Sequence, residues 1–124
     1  MKFLNYLNEI EDSKSFFEKP DDRPYIGQAE LSKIDNDIIQ GAVKFKVEGV
    51  WFYFNRLIVP KQLRGQGLSK LLLQQVIDWA DINKINIFND INPYGALNLK
   101  QLIDLYSRYG FKKISRQSMI RLHK

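Results

Sequence analysis

Hydrophobic positions change period several times along this chain, and each change predicts an element. Residues 2–11 set Phe3, Leu4, Leu7 and Ile10 at helical spacing, which predicts a short amphipathic helix. Residues 11–24 are polar, and Lys19-Pro20-Asp21-Asp22-Arg23-Pro24 reads as a loop. Tyr25 to Ile34 is a candidate strand, closed by the turn former Asp35-Asn36-Asp37. Ile39, Gly41, Val43, Phe45 and Val47 then alternate with Gln40, Ala42, Lys44 and Lys46, the period of a strand with one wet face. Glu48-Gly49 supplies a hairpin connection. Val50 to Val59 is apolar or aromatic on both faces, as suits a strand inside a sheet.

From Leu68 the spacing becomes Leu68, Leu72, Val76 and Ala80, with Leu73 and Ile77 alongside, a helix to about Asn83. Ile85 to Ile91 is a strand, parallel to the previous one by the usual crossover. Asn92-Pro93-Tyr94-Gly95 breaks the pattern. Leu99, Leu102, Ile103 and Tyr106 predict a helix stopped by Gly110, and Phe111–Ser115 and Ser118–Leu122 predict two closing strands. The expected fold class is therefore mixed α/β (α+β). Its central sheet is mostly antiparallel, with one parallel β-α-β step.

Composition narrows the class. A chain of 124 residues has the size of one domain, residues 1–124, whose first 24 are a short helix and loop. Hydrophobic residues at 44% and charged ones at 27% are ordinary for a globular protein. No apolar run approaches the roughly 20 residues that span a bilayer, and the start lacks the apolar segment of a secretory signal. Without cysteine, and with His123 as its one histidine, the chain offers no thiol nucleophile and no zinc set. A cytoplasmic, metal-free protein without membrane partners is the expectation. A formal charge of +5 favours anionic partners, nucleic acid and phosphate-rich cofactors alike, and does not choose between them.

The chemistry concentrates at Leu57 to Leu73, where a strand runs into the basic turn Arg64-Gly65-Gln66-Gly67 and straight onto a helix. Glycines let a backbone approach a phosphate closely, and the first N–H groups of a helix point at an anion placed there. An ordinary tight βα loop would use the same glycines.

This stretch, followed by Leu105-Tyr106-Ser107-Arg108-Tyr109-Gly110-Phe111, resembles the Gcn5-related N-acetyltransferase (GNAT) superfamily. The family signature Arg/Gln-x-x-Gly-x-Gly/Ala falls on Arg64, Gly67 and Ser69, or in a second register on Gln62, Gly65 and Gly67. The second family motif is a tyrosine four residues before Gly-Phe, met here by Tyr106. The resemblance covers roughly residues 25–122 and implies acetyl-coenzyme A as donor. It implies a pyrophosphate site on Arg64, Gly65, Gln66, Gly67, Leu68, Ser69 and Lys70. It also implies splayed fourth and fifth strands, here Val50–Val59 and Ile85–Ile91, with the pantetheine arm between them on the main chain of Leu57, Ile58 and Val59. Tyr106 would protonate the departing thiolate. The residues do not single out a base: Asp90 and Glu48 are candidates, and water is the alternative.

Asn92-Pro93-Tyr94-Gly95 followed by Asp104-Leu105-Tyr106 looks most like small acetyltransferases of phages and plasmids, some of them anti-CRISPR proteins that acetylate a lysine. A phage origin would place the chain in the host cytoplasm. The leading expectation is an acetyl-CoA-dependent N-acetyltransferase, monomer or homodimer, acting by direct transfer on a primary amine of a protein or small molecule. The rivals are a catalytically silent or virion-associated protein of this fold, and a basic nucleic-acid-binding module. The latter is disfavoured because the aromatic run Trp51 to Phe54 reads as buried.

Overall fold

The computed structural model describes residues 11–20, 22, 24–93 and 97–124. The helix expected over residues 2–11 lies outside them, apart from Glu11. The elements are β1 (Ser13–Glu18), β2 (Gly27–Ile34), α1 (Asn36–Ala42), β3 (Val50–Ile58), a 3₁₀ turn (Lys61–Leu63), α2 (Leu68–Ile82), β4 (Ile85–Asp90), α3 (Leu99–Ser107), β5 (Lys112–Lys113) and β6 (Ser118–Arg121). Six strands form a sheet in the order β1-β2-β3-β4-β6-β5. Every neighbouring pair is antiparallel except β3 and β4, the parallel step. The expected mixed, mostly antiparallel α/β architecture is the observed one.

Two elements exchange character relative to the sequence reading. The strand expected over Ile39–Val47 is instead helix α1, followed by an irregular segment. Ile39 and Val43 are four residues apart, so they satisfy a helical face as well as an alternating one. Both are buried with Trp51, Phe88 and Ile120. Asp35 thus opens a helix rather than a turn, and Glu48-Gly49 joins no hairpin. In the other direction, the polar stretch over residues 11–24, where no strand is expected, contains β1. Phe16 packs edge-on to Trp79 at 5.8 Å, Lys14 sits over the Phe16 ring, and Phe17 on the outer face stays exposed. An edge strand held by its ladder to β2 needs little apolar pattern of its own. The strands near the C-terminus are also shorter than expected, and Phe111 precedes β5 rather than belonging to it.

The core lies on one face of the sheet, between α2 and α3 and strands β2, β3, β4 and β6. It contains Leu31, Phe52, Phe54, Leu72, Leu73, Val76, Ile87, Tyr106, Phe111 and Met119. Val76 and Leu72 on α2 are fully buried, while Leu71 and Ile82 on its other face are exposed. A smaller cluster under α1 covers the opposite face. The C-terminus is pinned by Arg121, 2% exposed, whose guanidinium donates to both Asp81 oxygens at 2.8 and 3.0 Å and to the Tyr109 carbonyl at 2.7 Å. No described helix is long and apolar enough to cross a membrane.

Candidate active site

The parallel ladder between β3 and β4 is short. It joins Val50–Tyr53 to Ile85–Phe88 and then stops. From Phe54 to Ile58, β3 stays paired with β2, while Asn89 and Asp90 of β4 pair with β6. The two strands diverge at their C-terminal halves, the splay expected from sequence. Its local cause is a bulge: Glu30 faces Arg56 but Leu31 faces Phe54, so Asn55 is an extra residue on β3. A bulge bends its strand and sharpens its twist. Asn55 Oδ1 accepts from Ser32 Oγ at 3.1 Å, which fixes the bulged residue to β2.

Divergence opens a cavity of about 570 Å³ between the strands. Along β3 the N–H and C=O groups that would have met β4 face a slot instead of a ladder. Such an edge takes an extended chain in the manner of an added strand. Leu57, Ile58 and Val59 line this edge.

Past Val59 the chain turns through the 3₁₀ segment, anchored by fully buried Leu63, into Arg64-Gly65-Gln66-Gly67. Arg64 Nε donates to the Val59 carbonyl at 3.2 Å and closes the corner. Gly67 is the N-cap of α2, with φ 75° and ψ 15°, and no side chain caps the helix. The first-turn N–H groups of α2 therefore lack an intrahelical acceptor, and among the described residues none is capped by the N-cap side chain. They face the cavity with Arg64 and Lys70 nearby. Of the ten residues expected to bind cofactor, nine line the cavity, and Gln66 does not. Both glycines of the second register, Gln62-x-x-Gly65-x-Gly67, fall at positive φ, at 84° and 75°.

Tyr106 enters from α3, whose first turn is locked by a capping box. Asn98 Oδ1 accepts from the Gln101 amide, and Gln101 Oε1 accepts from the Asn98 amide, both at 2.9 Å. The sequence reading gave Asn98 no role, and helix capping is the one observed. The Tyr106 ring is held edge-on between Phe54 at 5.9 Å and Phe111 at 5.3 Å. Gly110 makes that second contact available. Its φ is 90°, and a Cβ there would meet Arg121 Nε at 3.2 Å, so the chain reverses tightly and returns Phe111 onto the tyrosine. The Gly-Phe of the motif is a packing device for Tyr106.

The two carboxylate candidates separate. Asp90 lines the cavity, with Oδ1 accepting from Ser118 Oγ at 2.6 Å and Oδ2 accepting from the Tyr53 hydroxyl at 3.0 Å. Burial raises the Tyr53 pKa above its ordinary value, and the Asp90 hydrogen bond and charge raise it further. The phenol accordingly stays protonated and remains a donor. Glu48 stands near the start of β3, at the other end from the splay. Its side chain is solvent-exposed beside Lys46, and it is not among the residues lining the cavity. Tyr53 and Ser118, which hold Asp90, and Asn55 and Asn89, which with Tyr53 line the cavity, are residues that the sequence reading did not single out. The first two are united with Asp90 by pairing across three strands, which no local pattern reports.

Strand alternation sorts the cleft into two faces. Phe54, Tyr106 and the β4 residues Ile85 and Ile87 belong to the main core, so Asn89 shares their face. Tyr53 and Phe88 belong to the α1 side, which Asp90 shares.

The chain matches the family model described as an acetyltransferase (GNAT) domain over residues 25–113. No curated protein sequence matches it. Among solved structures it resembles Arabidopsis thaliana NAA60 in complex with a bisubstrate analogue, at TM-score 0.66 and 16% identity over 99% of this chain and 82% of that one. It resembles an acetyltransferase of the GNAT family from Staphylococcus aureus at TM-score 0.61 and 20% identity, covering 98% and 73%. It also resembles the anti-CRISPR protein AcrVA5 at TM-score 0.58 and 16% identity, covering 89% and 98%. At these identities the likeness is one of fold.

Proposed function

We propose, from the premise that this chain belongs to the GNAT family of acetyltransferases, that it moves the acetyl group of acetyl-CoA to a primary amine of a protein or small molecule. The observation that carries this reading is the interrupted β3–β4 ladder leading without a break into the uncapped N-terminus of α2. A slot with a free strand edge and an anion-binding turn at its end suits an extended arm that terminates in a pyrophosphate. Structures of the same fold, NAA60 with acetyl-CoA and Escherichia coli YhbS with CoA, support that choice of ligand.

When bound, acetyl-CoA supplies an acetyl group activated as a thioester. The amides of Leu68, Ser69 and Lys70 bind the pyrophosphate, helped by the positive field of Arg64 and Lys70. The edge of β3 at Leu57, Ile58 and Val59 hydrogen-bonds the arm. Tyr106 donates its hydroxyl proton to the departing sulfur. Asp90, held by Tyr53 and Ser118, attracts the incoming ammonium and takes its proton, directly or through one water. Donor and acceptor groups thereby approach the splay from opposite faces of the sheet.

The test is acetyl transfer from radiolabelled acetyl-CoA to a peptide library bearing lysines and free N-termini, with Tyr106→Phe alongside. The ring contacts to Phe54 and Phe111 survive that change, so coenzyme A binding should persist while transfer slows about 10²- to 10⁴-fold. Absence of transfer by the wild type would refute the reading, and an unslowed Tyr106→Phe would remove Tyr106 as the acid.

A further inference from the structure

Asn89 breaks an otherwise apolar row. Ile85 and Ile87 before it on the same face of β4, and Ile91 just past the end of the strand, are all buried in the main core. Its partner across the ladder is Met119, fully buried. The asparagine is itself 3% exposed, and its Nδ2 has no hydrogen-bond partner among the described residues. Native structures leave few buried donors unmade, because each forfeits the water it would have bonded outside. A leucine has the same branched shape, though it is larger, and carries no donor to leave unmade. Yet the residue lines the cleft, at the point where β3 and β4 separate. Its neighbour Asp90, on the other face, has both oxygens engaged. One polar group of β4 is satisfied within the protein, and the next is not.

We propose that Asn89 is a ligand-binding residue whose side-chain amide donates to a carbonyl oxygen of the pantetheine arm, amide or thioester, when that arm occupies the splay. The inference rests on the functional reading above and adds a contact from the floor of the cleft to those from the β3 edge and the glycine turn. A donor without an acceptor calls for a carbonyl, and an arm built from amides and a thioester carries carbonyls along its length. The resting protein gives up some stability at this position in exchange for affinity.

Asn89→Leu tests it through two readouts that a purely structural asparagine would not move in opposite directions. The free protein should melt about 2 to 5 °C higher, since an unmade donor is replaced by apolar contact. Calorimetric titration should show coenzyme A and acetyl-CoA bound about tenfold more weakly, the loss of one buried hydrogen bond. Phosphoadenosine diphosphate, which keeps the pyrophosphate but lacks the arm, should bind as it does to the wild type. Asn89→Ala is a smaller replacement and should show the same selective loss should the leucine fail to fit. Unchanged coenzyme A affinity in a folded variant, or equal weakening of the arm-free fragment, would overturn the proposal while leaving the acetyltransferase reading intact. A wild type that binds no coenzyme A would overturn both.

Discussion

Replacing Gly67 with alanine separates the cost of a backbone conformation from the cost of a lost anion site. Gly67 sits in the left-handed region at φ 75°, and a Cβ there would meet no heavy atom within 4 Å. Steric collision therefore contributes nothing, and the penalty is the intrinsic one for an L-residue in that region, about 1–2 kcal/mol. For a domain of this length each kcal/mol moves the melting temperature by about 3–5 °C, so Gly67→Ala should melt about 3–10 °C lower and remain folded. Binding should suffer more than stability. If the chain leaves the left-handed region to relieve strain, the amides of Leu68 and Ser69 rotate away from the cavity. Losing one charge-assisted hydrogen bond, at about 1.5–3 kcal/mol, weakens coenzyme A by about 10- to 100-fold. The assay is calorimetric titration at a temperature well below both melting points. A variant that melts about 3–10 °C lower but binds coenzyme A within twofold of the wild type would refute the claim that this turn grips the pyrophosphate.

Three further outcomes follow from the geometry. Asp90→Asn keeps the shape that Tyr53 and Ser118 hold but removes the charge, so transfer at neutral pH should fall by about 10²- to 10⁴-fold with coenzyme A binding unchanged. The lost rate should return in part as rising pH deprotonates the amine itself, and a pH–rate profile identical to the wild type would exclude Asp90. Arg121→Ala leaves Asp81 without its guanidinium partner, with the Lys124 amide still donating and the side chain 24% exposed, so the cost should sit near the low end for a broken buried pair, about 3 kcal/mol. The Arg121 hydrogen bond holds the Asp81 pKa below its ordinary value. That contribution is complete above the unfolded carboxylate's value and is lost as pH falls through the lower folded one. Urea midpoints of the wild type should therefore drop below about pH 4, and those of Arg121→Ala less steeply; equal slopes would contradict the assignment. Gly41 lies in α1 with open space at its Cβ, so Gly41→Ala should raise the melting temperature by about 2–4 °C. A decrease would contradict the helix.

How much of this was legible depends on how local each cause is. Val50–Val59, Leu68–Asn83 and Ile85–Ile91 were readable because their periodicities are long and unambiguous, and they become β3, α2 and β4 with ends shifted by a residue. The glycine turn and Tyr106 were readable because contiguous residues make them. Ile39–Val47 was misread because Ile39 and Val43 fit both periods, and what decides is the surface offered by Trp51 and Phe88, far along the chain. Ser13–Glu18 was missed because an edge strand is specified mostly by its partner. The Tyr53–Asp90–Ser118 network spans β3, β4 and β6, so its members carry no joint signal. Asn89 did leave a trace: a polar residue in the apolar row of Ile85, Ile87 and Ile91 is where a period-2 pattern fails without a turn to excuse it.

The central claim is that the splay and the glycine turn together form an acetyl-CoA site. Its most direct test is the melting temperature of the wild-type chain titrated with acetyl-CoA. Binding to the native state at 100 times Kd adds about 2.7 kcal/mol, so the transition should climb by about 8–13 °C and keep rising with concentration. A transition unmoved at millimolar acetyl-CoA would contradict the account.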